Sequence, residues 1–309
     1  MNPGTRAIVQ LRMGGARAQL LPQCGGRVAT LQLAGPDGEP VDVLYPYPLD
    51  VPFDPVRWAR GGIYPLMPYS NRVANARVCV DGVEIALKPH PDSLPHALHG
   101  NAHRLPWRLD QQDDSSALLR LDAPPSADWP WHYSGRLDIA LSAHALAMRI
   151  EIRNAGERAM PAGIGLHPYF QHLPQAKIGY HADAVWPPNA EFLATTPRVP
   201  STHESYRPAR PLPPGGLTNY AGGWDGRAEV ELPQGAWLRV EADPLFCHLV
   251  VHRPDNLAYM CLEPVSHVAD GFNLAARGVA DTGTHWLAPG ESLAGTMRFS
   301  VSSTSRDDA

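Results

Sequence analysis

Proline or glycine interrupts nearly every stretch of this chain long enough for three or four helical turns. The 33 prolines and 27 glycines are spread through all 309 residues, which calls for many turns rather than one disordered tail. Between them lie short apolar or alternating runs, at residues 7–11, 18–21, 78–80, 117–121, 145–152, 237–240 and 248–251. Asp37-Gly38, Asp81-Gly82 and Pro289-Gly290 sit between such runs and suit tight turns. The pattern predicts an all-β fold of many antiparallel strands with few short helices. No composition break marks a linker, so residues 1–309 read as one domain. The proline-rich stretch 207–216 reads as a long functional or surface loop, and the polar tail 302–309 as frayed.

Charge narrows the partners. A formal net charge of −5 with only 18% charged residues offers no footprint for nucleic acid or an anionic membrane surface. A neutral, polar small molecule fits that balance better than a polyanion. Cys24, Cys79, Cys247 and Cys261 lack CxxC spacing and read as small buried hydrophobes rather than a disulfide framework. The opening Met1-Asn2-Pro3-Gly4-Thr5-Arg6 has no basic-then-apolar leader pattern. No apolar run approaches the ~18 residues that span a bilayer. The expected location is the cytoplasm.

Two strand ends carry chemistry. The apolar run Leu257-Ala258-Tyr259-Met260-Cys261-Leu262 delivers Glu263-Pro264-Val265-Ser266 into the interior, where an unpaired carboxylate is costly. Gly165-Leu166-His167-Pro168-Tyr169-Phe170 repeats the design with a histidine before a proline. A carboxylate and an imidazole, each fixed by a following proline, are the ingredients of paired general acid and base catalysis. Two more clusters stand out, Arg60-Gly61-Gly62-Ile63-Tyr64-Pro65-Leu66-Met67-Pro68-Tyr69-Ser70-Asn71-Arg72 and His96-Ala97-Leu98-His99-Gly100-Asn101-Ala102-His103-Arg104-Leu105-Pro106-Trp107.

The ordered set Asn71-Arg72, His99-Gly100, His167-Pro168 and Glu263-Pro264 resembles the aldose 1-epimerase (mutarotase) family from about Gly61 to Asn273, through Trp224-Asp225-Gly226. The resemblance implies a β-supersandwich and a cofactor-free epimerisation at the anomeric carbon of a free sugar. Opening a cyclic hemiacetal needs a proton taken from the C1 hydroxyl and one given to the ring oxygen. An ionised carboxylate suits the first task and a protonated imidazole the second. Glu263 is therefore expected as base and His167 as acid, with roles exchanged on ring closure. Arg72 and His99 are expected to contact sugar hydroxyls or developing negative charge, and Asn71 to brace Arg72. Trp224 and Tyr69 offer apolar faces to a sugar ring.

One departure concerns the stretch Leu217-Thr218-Asn219-Tyr220-Ala221-Gly222-Gly223-Trp224. The family commonly has an aspartate where Thr218 stands, so Thr218 or Asn219 is left to hydrogen-bond a hydroxyl without charge. Two rival readings stay open: a hexose-6-phosphate 1-epimerase, for which Arg60, Arg77 and Arg104 are available, and a non-catalytic sugar-binding protein. His96, His99 and His103 invite a metal reading. Their spacing needs a helix that Pro95, Gly100 and Pro106 oppose, so no metal is expected, and His96 and His103 read as loop or rim residues.

Overall fold

A computed structural model describes residues 7–171, 175–255 and 257–305. The predicted all-β character holds. Among the described residues eighteen strands join in one sheet system, and every strand pairing is antiparallel. The only α-helix among the described residues is Gly271–Ala276, and none of their helices is long and apolar enough to cross a membrane.

The chain enters through hairpins Val9–Met13, Ala16–Leu21 and Arg27–Ala34. A meander then runs Arg108–Gln112, Ser116–Ala123, Tyr133–Leu141 and Ala145–Asn154. Its alternation is plain in Tyr133–Leu141, where every odd-numbered residue is buried, as a sheet with one covered face requires. The last strand, Ser292–Ser302, lies between Ala145–Asn154 and Trp237–Ala242 and closes that half. The main core, with Trp107, Trp129, Leu137, Ile150, Met297 and Phe299 inside it, fills the space between the layers.

The 15-residue strand Leu217–Glu231 changes partner along its length. Its first part pairs with His248–Arg253 and its last part with Trp237–Ala242. Gly223 and Gly226 occupy the changeover with φ of 60° and 78°, a backbone that side chains oppose. A Cβ on Gly223 would meet Asp183 at 2.8 Å.

Two expectations are corrected. The stretch 207–216 is not all loop, because Tyr206–Pro211 is a strand on Lys177–Val185. It tolerates Pro208 and Pro211 as a sheet edge does. The tail is ordered through Ser305, whose buried hydroxyl donates to Glu229 Oε1 at 2.6 Å; 306–309 lie outside the described residues.

Five strands build the site: Ile63–Leu66, Gly165–Pro168, Tyr259–Val265, His248–Arg253 and Leu217–Glu231. Tyr259–Val265 is buried at every position, which explains why it reads as a continuous apolar run rather than an alternating one.

Candidate active site

Register alone assembles one row of side chains across these strands. Tyr64 stands opposite His167, Val250 opposite Glu263, and Tyr220 opposite Val250. Gly165 opposite Val265 and Phe170 opposite Met260 share a single register, which sets His167 opposite Glu263. Directly opposed residues face the same side of a sheet. A histidine and a glutamate nearly a hundred residues apart thus meet, with His167 Nε2 3.3 Å from Glu263 Oε1.

Both groups are buried, yet among the described residues His167 Nδ1 and Glu263 Oε2 have no hydrogen-bond partner. The imidazole is instead held by rings. Tyr64 and Tyr169 stack on it, each with its centroid at 4.7 Å and tilted by 29° and 16°. The pair lines a cavity of about 400 Å³ together with Arg60, Asn71, Arg72, His99, Thr218, Tyr220 and His252. That volume falls within the usual range of small-molecule sites.

Burial pushes the Glu263 carboxyl up to about 8, against the pull of Arg72. Burial, then His99, His252 and Arg60, holds His167 well below the usual imidazole range. The pocket therefore disfavours the separate carboxylate and imidazolium expected from sequence. Burial thus favours the protonated carboxyl beside a neutral imidazole, and moving that proton from Glu263 to His167 leaves the pair's net charge unchanged.

Arg72 follows Asn71, whose φ of 55° turns the chain. Asn71 Oδ1 accepts from the Arg72 backbone N–H at 2.9 Å and from Arg72 Nη1 at 3.3 Å. The guanidinium lies over the Phe192 ring at 4.8 Å. His99 Nδ1 accepts the Asn71 N–H at 3.1 Å. Burial, then Arg72, keeps His99 neutral by holding its pKa well below the ordinary value, so Nε2–H remains as its donor. Thr218 Oγ1 is 2.9 Å from His252 Nδ1 across the strand pair, so the threonine anchors a pocket histidine.

Three expected contacts are corrected. Asn219 lies between Thr218 and Tyr220 on the opposite face, where its side-chain amide donates to the Tyr180 hydroxyl at 3.1 Å. Trp224, beyond the Gly223 changeover, packs in the main core and donates to the Arg227 carbonyl. Tyr69 likewise packs on Trp129, 5.6 Å away between centroids. Of the other arginines, Arg104 pairs with Asp128 at 3.2 Å and Arg77 with Glu84 at 3.3 Å, leaving Arg60 at the cavity.

His103 is not at the rim. It is fully buried against Trp58 and Tyr64, at 4.5 and 5.0 Å between ring centroids. His96 is also buried, its Nδ1 accepting from the Asn75 N–H at 3.0 Å. Among the described residues, the group that could offer an ion three donors is instead His167, Cys261 and Glu263, whose ligand atoms lie within 4.8 Å of one another.

Sequence reasoning passed over Tyr64 and Tyr169, although both lie inside the motifs it singled out. The period of two, counted from Thr218 and from Val250, also points to Tyr220 and His252. Trp58 and Phe192 come from irregular segments with no periodic signal.

The sequence model of the family described as aldose 1-epimerase matches residues 8–300. The chain belongs to the aldose 1-epimerase family. This family member is 30% identical over 248 residues to the uncharacterized protein YphB of Escherichia coli (strain K12), covering 77% of this chain and 83% of the relative. A crystal structure from Escherichia coli K12, named provisionally as an aldose 1-epimerase, superposes with a TM-score of 0.83 at 26% identity, over 96% of this chain and 98% of that one. A galactose mutarotase-like protein from Clostridium acetobutylicum gives a TM-score of 0.80 at 18% identity, over 95% and 94% of the two chains. That last likeness concerns the fold alone, a galactose mutarotase-like sandwich.

Proposed function

We propose that this aldose 1-epimerase family member interconverts the α and β anomers of a free aldohexose, without cofactor, by acid and base catalysis of ring opening and closure. The observation that carries the reading is the buried His167–Glu263 contact at 3.3 Å, with Glu263 Oε2 unpartnered beside a sugar-sized cavity.

Once the pair's proton has moved from Glu263 to His167, Glu263 takes the proton of the C1 hydroxyl while His167 gives its own to the ring oxygen, and the C1–ring oxygen bond breaks. The open aldehyde turns about its C1–C2 bond and shows its other face. His167 then withdraws the proton from the ring hydroxyl as that oxygen attacks C1, and Glu263 returns its proton to the carbonyl oxygen. A positioned acid or base contributes about 10²–10⁴-fold. The His99 Nε2–H and the Arg72 guanidinium donate to oxygens that gain charge, and Thr218 positions His252. Thiol cysteines such as the buried Cys261, together with a low net charge, support a single cytoplasmic domain that meets a small sugar.

The test is the rate of anomer exchange of glucose and galactose, followed by polarimetry. The enzyme reading expects acceleration over the buffer rate. A protein that binds sugar and leaves that rate unchanged is a sensor on the same scaffold.

A further inference from the structure

Cys261 has no part in the proposed reaction, yet it stands beside the two groups that do. It lies two residues before Glu263 on the strand Tyr259–Val265, so both side chains leave the same face. The packing agrees with that count. Cys261 and Val265 belong with Tyr64 and Tyr220 on the pocket side, whereas Met260 and Leu262 enter the main core. Across the register Cys261 opposes His252, a residue of the cavity wall, and its thiol is fully buried.

The donor atoms of His167, Cys261 and Glu263 lie within 4.8 Å of one another. A tetrahedral zinc ion with ligand distances of about 2.0–2.3 Å holds such donors about 3.3–3.6 Å apart. His167 Nε2 and Glu263 Oε1, at 3.3 Å, already have that spacing. The sulfur has to close by at most about 1.2 Å to join them.

The free valences point the same way. Glu263 Oε2 and His167 Nδ1 are buried and without a hydrogen-bond partner among the described residues. The rings stacked on His167 neither use its in-plane lone pair nor fix its tautomer. Both His167 and Glu263 line the cavity, so the fourth corner of the tetrahedron opens onto it. Three protein ligands and one open corner make an exchangeable site rather than a closed structural one.

Charge does not oppose the ion. A thiol and a carboxyl coordinate as thiolate and carboxylate. A divalent cation therefore replaces two protons, one from Cys261 and one from Glu263, and both pass to solvent. The net charge beside Arg60 and Arg72, which line the same cavity, stays as it was.

We propose that His167, Cys261 and Glu263 form an inhibitory site for a thiophilic divalent cation of the zinc class, which halts anomer exchange by engaging both members of the acid and base pair. One thiolate, one imidazole and one carboxylate suit zinc, whereas magnesium and calcium take oxygen donors throughout. The ion is an inhibitor and not a cofactor. That it inhibits rests on the reading of His167 and Glu263 as the anomerising pair; that it binds does not.

The experiment uses the chelator-stripped, untagged full chain with zinc chloride, and magnesium chloride as the control. Competition with a chromophoric chelator gives affinity, and polarimetry of glucose and galactose gives anomer exchange. Zinc is expected to bind and abolish exchange, magnesium to do neither, and excess chelator to restore the rate. Cobalt(II) in place of zinc is expected to show thiolate-to-metal charge-transfer absorption in the near ultraviolet. Cys261→Ser is expected to keep its exchange rate without zinc and to lose the cobalt band. Its zinc affinity should fall by about tenfold or more, since loss of even an outer partner of a ligand costs about 10–100-fold. A wild-type cobalt complex without the thiolate band overturns the proposal whatever the variant does. A band or a zinc inhibition unchanged in Cys261→Ser overturns it too. Zinc held through Cys261 while exchange continues removes the inhibitory role. If no sugar exchanges faster in the stripped protein, the anomerisation reading falls, and the cobalt band alone decides the site.

Discussion

In the proposed reaction Glu263 is the residue on which the chemistry turns, and its environment predicts a measurable pH dependence. The pair needs one proton in residence: a second blocks the base, and loss of the last removes the acid. With the Glu263 carboxyl raised to about 8 by burial, kcat/KM is expected to fall as pH rises through that region. It should also fall in acid, where His167, lowered by burial, gains a second proton for the pair. The two apparent values belong to the pair rather than to either residue. A kcat/KM profile that stays flat into strong alkali contradicts this account.

Glu263→Gln and His167→Asn are each expected to slow anomer exchange by about 10²-fold or more, and wild-type rates in both would remove the acid and base assignments. Glu263→Gln has a second effect with a definite sign. The folded carboxyl holds its proton up to about 8, whereas the unfolded one loses it near its ordinary value of 4.5. Ionisation of the unfolded chain thus weakens the fold increasingly between those values, and the weakening is absent in acid. Glutamine does not ionise, so at pH 7 the variant is expected to be more stable by on the order of 3 kcal/mol, seen as a melting temperature higher by a few degrees. A lower melting temperature at pH 7 with an equal one at pH 4 is the contrary result.

At the scale of elements, strand register does most of the work. The row Tyr64, His167, Glu263, Val250 and Tyr220 follows from pairing alone, and a slip by one residue would turn His167 away from Glu263. The sequence showed His167 and Glu263 because proline-marked strand ends and an apolar run are local signals. Asn219 was misread because a hydrogen-bonding side chain can serve either face of a strand, and only the pairing of Thr218 with His252 reveals which face is the pocket. Trp224 was misread because the partner change at Gly223 and Gly226 is a property of three strands together. The His99-Gly100 element depends on close approach. Gly100 has φ of 65°, and a Cβ there would overlap the Met67 carbonyl. Gly100→Ala is expected to cost about 1–3 kcal/mol in a denaturant titration and to lower activity by displacing His99. A variant with an unchanged midpoint and rate contradicts that role.

For the whole molecule, net charge and local charge diverge. The formal charge of −5 is a sum over the chain, whereas its cavity is lined by two arginines without carboxylate partners among the described residues, a feature that no such sum contains. Closure of the sheet system is equally non-local. Ser292–Ser302 joins Ala145–Asn154 to Trp237–Ala242, so ending the chain before Ser292 leaves two central strands with open edges. Such a truncation is expected to lose its cooperative thermal transition by circular dichroism; a retained one would show that the closure is dispensable. The antiparallel, helix-poor architecture was legible because proline and glycine spacing acts everywhere along the chain.

The central claim is that Glu263 and His167 meet the anomeric centre from two directions. A crystal structure of the Glu263→Gln protein with a bound aldose tests it most directly. The account predicts the substituted amide side chain within hydrogen-bonding distance of the C1 hydroxyl and His167 Nε2 within the same distance of the ring oxygen. A sugar bound with C1 turned away from both would contradict it.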